Sequence, residues 1–152
     1  PGSVFKTVTL SAALENDPSI VNRTFNDTGK ITFPDGTELN NYMKQAHGNL
    51  DLQMAYRVSS NVVFGTLAME MGNPKLKEVS ERFGFNSRVP GIGISISESR
   101  FPALKDYEVG NIAQSGIGQA CVLSTPMQMA IVAATVANDG VLMEPKLVNK
   151  IV

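Results

Sequence analysis

The stretch Pro1-Gly2-Ser3-Val4-Phe5-Lys6 sets a hydroxyl and an amine three residues apart, where a helical pattern begins. Residues i and i+3 share one helix face, about one turn apart. A serine in a first helical turn lies at the positive end of the helix dipole, beside backbone N–H groups that have no helical partner. An oxyanion formed there is stabilised. The lysine one turn on can take the serine proton, provided its pKa is pulled below the roughly 10.4 of an exposed side chain. Ser3 and Lys6 are therefore candidate nucleophile and general base for acyl transfer. S-x-x-K alone also describes an ordinary capped helix, so the pair needs company.

Ser59-Ser60-Asn61 supplies it. Leu50, Met54 and Val58 recur every four residues and predict an amphipathic helix before the triplet. Val62 to Met71, apolar apart from Gly65, Thr66 and Glu70, predicts a buried helix after it. A polar triplet between two such helices faces solvent or lines a site. Ser59 could relay a proton to a leaving amine, and Asn61 could offer an amide N–H to a substrate or its oxygen to Lys6. S-x-x-K followed by S-x-N is the pairing used by penicillin-binding proteins and class A β-lactamases.

Further stretches extend the likeness: Ala46-His47-Gly48, Arg82-Phe83-Gly84-Phe85, and Ile117-Gly118-Gln119 through Leu123-Ser124-Thr125-Pro126 to Ala137-Asn138-Asp139-Gly140. In this order they resemble the central part of a penicillin-binding protein transpeptidase domain of the class B, monofunctional type. The resemblance implies an α/β (α+β) serine transpeptidase/β-lactamase-like domain. Residues 1–152 would be a partial domain: a mainly α subdomain with one short β-hairpin, with most of the sheet outside this chain. It implies Ser3, Lys6, Ser59 and Asn61 as catalytic residues, with no cofactor and no metal. The substrates would be the D-Ala-D-Ala end of a peptidoglycan stem peptide and an amine on another stem, and β-lactams would acylate Ser3. The implied setting is the bacterial cell envelope, on the outer side of the cytoplasmic membrane, in cell shape or division, with an anchor elsewhere and cell-wall synthesis partners.

Two departures stand out. The second motif reads S-S-N where the handed-down pattern is S-D-N. No Lys-Thr-Gly or Lys-Ser-Gly occurs. The resemblance puts that motif further toward the C-terminus, where its lysine would be a cation near Lys6 and its strand would give the second oxyanion donor. Two alternatives share the Ser-Lys pair: a D,D-carboxypeptidase or serine β-lactamase, which passes the acyl group to water, and a β-lactam-binding sensor or inactive homologue.

The chain has 152 residues, 43% hydrophobic and 18% charged, the mark of a globular rather than a disordered segment. A net charge of −1 gives no reason to expect nucleic acid as a partner. No apolar run approaches the roughly 20 residues of a membrane helix. Beginning two residues before the candidate nucleophile, the chain reads as an excised fragment. Cys121, the only cysteine, is expected to be a small buried side chain, and His47, the only histidine, to satisfy a local hydrogen bond.

The elements that must position the site follow from local signals. A first helix is predicted from Ser3 to about Glu15, ended by Asn16-Asp17-Pro18. Ile31-Thr32-Phe33 and Thr37-Glu38-Leu39 around Pro34-Asp35-Gly36 predict a hairpin. Asn73 should cap a helix that starts at Pro74 and stops at Gly84. Residues 84–110 read as one long loop near the cleft. Ser115 to Gln119 is Gly-rich but lacks the ending of a phosphate loop. Thr125-Pro126 should open a helix buried all round, running to about Asn138, and Lys146 to Val152 the start of a strand.

Overall fold

Phe5 decides where the first helix sits. Its ring is fully buried, edge-on to Phe85 at 5.4 Å and stacked on Phe101 at 5.7 Å. It anchors a 3-10 turn, Gly2–Phe5, that runs straight into α1, Lys6–Asn16. The helix stops where the sequence predicts, at an extended Asp17 whose side chain accepts the Ser19 N–H. These features come from a computed structural model, which describes residues 1–89 and 93–148.

Four strands of three residues each follow: β1 Phe25–Asp27, β2 Lys30–Thr32, β3 Glu38–Asn40 and β4 Gly48–Leu50. The predicted hairpin is β2 with β3, in the register Ile31↔Leu39. A second antiparallel pair, β1 with β4, joins Phe25 to Leu50. This pair has no sequence signal, because three residues are too few to show an alternating pattern. Leu50 therefore belongs to a strand and not to the predicted helix. That helix, α2, spans Leu52–Arg57 and is capped by the Asp51 carboxylate.

Helix α3, Asn61–Arg82, is the central element, packed by α1 on one side, by α4 (Val109–Ser115) on another and by the strands. It kinks at Gly72, so the two predicted helices are present but abut. Asn73 does not cap the second of them. Its buried amide instead donates to Pro102 O and accepts the Leu104 N–H, tying down the long loop. The described residues of that loop are irregular as predicted, apart from an isolated pairing of Arg100 with Leu123, and α4 begins at its end; residues 90–92 lie outside the described residues.

Helix α5, Pro126–Ala137, opens with the predicted Thr125 cap. It is not buried all round. Gln128, Ile131, Val132 and Thr135 face inward, whereas Ala130, Ala133, Ala134 and Ala137 are exposed. An apolar helix keeps a bare face when only one side has a partner, and among the described residues only one side does. Lys146 to Val148 form no strand, and 149–152 lie outside the described residues. No described helix is long and apolar enough to cross a membrane.

The approach of α3 to the end of α4 leaves no room at Gly116. A Cβ there would lie 2.3 Å from Ala68 Cβ and 3.0 Å from Phe64 O. The Gly116 carbonyl also accepts the buried Thr9 hydroxyl at 2.7 Å, which links α4 to α1. Gly116→Ala should therefore overpack this junction and lose roughly 1–3 kcal/mol in a denaturant melt. Wild-type stability in that variant would show that the helices can part freely.

Candidate active site

Ser3 is exposed on the 3-10 turn, and the turn is held from behind by the backbone. Gly2 N–H donates to Gly118 O at 2.9 Å. Gly118 has φ +72°, and a Cβ on it would sit 2.2 Å from Gly2 O. Only glycine fits, which gives a physical reason for the Ile117-Gly118-Gln119 match. The motif flagged the position, but spacing alone could not show that residue 118 touches residue 2.

Lys6 is 1% exposed although it is a lysine. Its Nζ lies 2.7 Å from Ser59 O, 2.7 Å from Asn61 Oδ1, 2.9 Å from Ser59 Oγ and 3.2 Å from Ser3 Oγ. The Asn61 oxygen faces Lys6 because its amide nitrogen donates to Asn40 O at 2.7 Å. Asn61 thus gives its oxygen to the lysine and one of its two amide N–H bonds to the Asn40 carbonyl. The two shortest contacts are to atoms that can only accept. A neutral Lys6 amine has two N–H bonds, and these contacts use both. Its lone pair is then left to the two hydroxyls, Ser59 and Ser3, either of which can donate to it. Burial holds the Lys6 pKa at about 8, well below that of an exposed lysine. Burial alone thus brings a substantial fall, without a neighbouring cation among the described residues.

Ser59 lies just beyond the end of α2 with φ +58°. The Ser59 N–H donates to Tyr56 O and the Ser60 N–H to Ala55 O, the left-handed helix ending usually given to glycine. Ser59 presents both its carbonyl and its hydroxyl to Lys6. Ser60 turns the other way and is fully buried against Asp27. All four predicted site residues thus meet around one nitrogen, although Asn61 is 55 positions from Lys6.

Two hollows flank Ser3 and Ser59. One, of about 450 Å³, is lined by apolar groups including Val4, Met129 and Val132. The other, of about 330 Å³, is lined by Asn40, Tyr42, Gln45 and His47. His47 makes the local bond expected of it, Nδ1 lying 2.9 Å from Asp27 Oδ2. Cys121 is exposed, not buried, because it sits on the turn after Gly118 rather than in a helix. No group of His, Cys, Asp or Glu among the described residues could hold a metal ion.

A serine at a helix start, a buried lysine within reach of it and a second serine on that lysine are the groups that acyl transfer to serine with a lysine base requires. The comparisons with known proteins agree. The profile of the penicillin binding protein transpeptidase domain matches residues 1–152. Peptidoglycan D,D-transpeptidase PbpA of Mycolicibacterium smegmatis is 35% identical over 155 residues, which is 99% of this chain and 31% of that protein. The structure of penicillin-binding protein A from M. tuberculosis, as its penicillin G acyl-enzyme complex, superposes with a TM-score of 0.87 at 29% identity, over 96% of this chain and 34% of that one. PBP2 of Helicobacter pylori, in complex with MreC, gives a TM-score of 0.86 at 27% identity, over 99% of this chain and 30% of that one. This chain belongs to the penicillin-binding protein transpeptidase domain family, and it spans about a third of the length of the relatives it matches.

The Lys6 pKa has a thermodynamic consequence. Folded Lys6 sheds its proton near pH 8, whereas the unfolded side chain keeps it to roughly 10.4. Between those values the unfolded state binds more protons, so stability rises with pH; below pH 8 the burial penalty is present in full. Lys6→Met abolishes this dependence. From pH 7 to pH 10, wild type should gain roughly 2–3 kcal/mol relative to Lys6→Met in paired denaturant melts. A constant difference would mean that Lys6 is not held near 8.

Proposed function

We propose that the intact protein is a D,D-transpeptidase that cross-links peptidoglycan stem peptides through an acyl-serine intermediate on Ser3, and that residues 1–152 are a partial transpeptidase domain. The observation that carries this reading is the convergence of Ser3, Ser59 and Asn61 on the Lys6 amine. Ser3 Oγ attacks the carbonyl carbon of the penultimate D-alanine. Neutral Lys6 takes the Ser3 proton as the C–O bond forms. The proton passes from Lys6 through Ser59 Oγ to the leaving amine of the terminal D-alanine, and the C–N bond breaks. An amine of a second stem then attacks the ester, the same groups carry its proton back to Ser3, and the cross-link is released. Asn61 holds Lys6 through its oxygen, and its second amide N–H remains available to the substrate. The Ser3 N–H is one oxyanion donor, and the strand carrying Lys-[Ser/Thr]-Gly would give the other.

A β-lactam presents the same acyl group in a strained ring and would be trapped on Ser3. Penicillin G does this in the related M. tuberculosis protein. The names of the relatives support a role in the bacterial cell envelope, and a peptidoglycan substrate favours the outer side of the cytoplasmic membrane. The H. pylori complex supports a cell-wall synthesis partner, in cell shape or division. The bare face of α5 is where the rest of the domain's sheet would pack.

Two outcomes test the reading. In the intact protein, Lys6→Ala should slow acylation by a fluorescent penicillin by roughly 10²–10⁴, the worth of a general base, and cost acylation far more than it costs folding. An unchanged acylation rate would reject Lys6 as the base. Residues 1–152 alone should not be acylated, as read by intact mass after incubation with excess penicillin. Loss of one oxyanion donor costs about 10²–10³, and the uncovered α5 face favours self-association. Stoichiometric labelling of the monomeric fragment would show that the absent segments are dispensable.

A further inference from the structure

Behind the site lies a polar cluster that the proposed chemistry does not use. The Asp27 carboxylate is 1% exposed, at the end of β1. Its Oδ2 accepts the Ser60 hydroxyl at 2.7 Å and lies 2.9 Å from His47 Nδ1. Its Oδ1 accepts the Gly29 N–H at 2.9 Å, and the Asn41 amide donates to Oδ1 at 2.7 Å and to Oδ2 at 2.9 Å. Asn41 is itself buried, and its oxygen accepts two successive N–H groups at the start of α3, Asn61 at 2.8 Å and Val62 at 3.1 Å. The Ser60 hydroxyl also accepts Val63 N–H at 3.0 Å.

The backbone from residue 60 to residue 63 is therefore fixed from behind by Asp27 and Asn41. Ser59 has no such side-chain support. Among the described residues its carbonyl and hydroxyl bond only to Lys6, and its left-handed backbone is the kind that persists only when its surroundings impose it. The end of α2 holds it on one side, through Tyr56 O and Ala55 O, and on the other its place is set by Ser60, which Asp27 holds. We propose that Asp27 is a positioning residue: a buried carboxylate that, through Ser60 and Asn41, holds Ser59 and Asn61 against Lys6. The inference rests on the functional reading above.

An isosteric amide is the wrong occupant. All four partners of Asp27 turn donors toward it, and Asn can accept at one oxygen only, which leaves its NH₂ facing a donor. Burial alone would raise the Asp27 pKa, but the hydrogen bonds from Ser60, Gly29, Asn41 and His47 outweigh it and hold the group below the ordinary range. The carboxylate is thus ionised at neutral pH, and His47 is the one ionisable side chain in contact with it among the described residues. Lys6 faces Ser3, Ser59, Asn61 and the Phe64 ring, with no ion pair among the described residues.

The test is stopped-flow acylation of the intact protein by a fluorescent penicillin, wild type against Asp27→Asn, with binding constant and acylation rate constant separated and the rate followed from pH 6 to pH 10. Wild type should show an alkaline rise centred near 8, where Lys6 loses its proton. Asp27→Asn should keep the binding constant, lose about 10²-fold in rate from misplacement of Ser59, and shift the rise to higher pH as Lys6 regains water. A wild-type rate in Asp27→Asn overturns the proposal. So does a slower rate with an unmoved midpoint, which marks general loosening. So does a midpoint moved to lower pH, which marks the loss of a negative charge near Lys6 without movement. If Asp27→Asn does not fold, Ser60→Ala decides by the same criteria, with a loss of about 10-fold expected. A wild-type protein that penicillin does not acylate overturns the functional reading itself, and this inference falls with it.

Discussion

Burying the Lys6 amine without a counter-charge is the constraint around which the rest of this structure is arranged. An ammonium taken out of water is costly unless it is well hydrogen-bonded, and the group responds by giving up its proton more readily. Three kinds of support make the burial possible here. The Phe5 stack sets the turn and the start of α1 into the core. Ser59 and Asn61 bring three acceptors to the nitrogen. The first residue of α1 also sits at the positive end of that helix, which disfavours a second positive charge. Burial itself is what lowers the Lys6 pKa, so a change that let water reach the amine would return it toward an ordinary protonated lysine.

Two buried titratable groups lie on opposite sides of the Ser59-Ser60-Asn61 segment, and both have depressed pKa values for opposite reasons. Lys6 is pushed toward its neutral form by burial, whereas Asp27 is held in its charged form by donated hydrogen bonds. One segment serves both: it offers oxygens to the lysine on its front and a hydroxyl proton to the carboxylate on its back. This gives the middle serine a role, where the resemblance marked it only as a departure from S-D-N.

Sequence carried the chemistry further than the architecture. Ser3, Lys6, Ser59 and Asn61 were legible because each lies in a short motif whose spacing states its geometry, and the hairpin was legible because Pro34-Asp35-Gly36 specifies a turn. β1 and β4 were not, since each is three residues long and their pairing closes the long loop between Asp27 and Gly48. Asn73 was misread as a cap because local propensity cannot see Pro102 and Leu104, thirty residues on. The exposed face of α5 was misread because composition reports how apolar a helix is but not how many sides are covered. Asp27 gave no signal at all: a lone acidic residue in a polar stretch looks solvent-exposed until the Gly29 N–H beside it is joined by donors from Asn41, His47 and Ser60, which lie 14, 20 and 33 positions away.

The backbone contact between Gly2 and Gly118 has a consequence for the order of events as the chain is made. The nucleophile's turn is synthesised well before the strut behind it and the acceptors around Lys6. Contacts of such long sequence separation are slow to form. Until residues 59–61 and 116–118 have left the ribosome and docked, Lys6 stays solvated and protonated, and Ser3 is inert. The reactive pair therefore cannot precede the fold that contains it, and a nascent or truncated chain carries no activated serine to meet the wrong acyl donor.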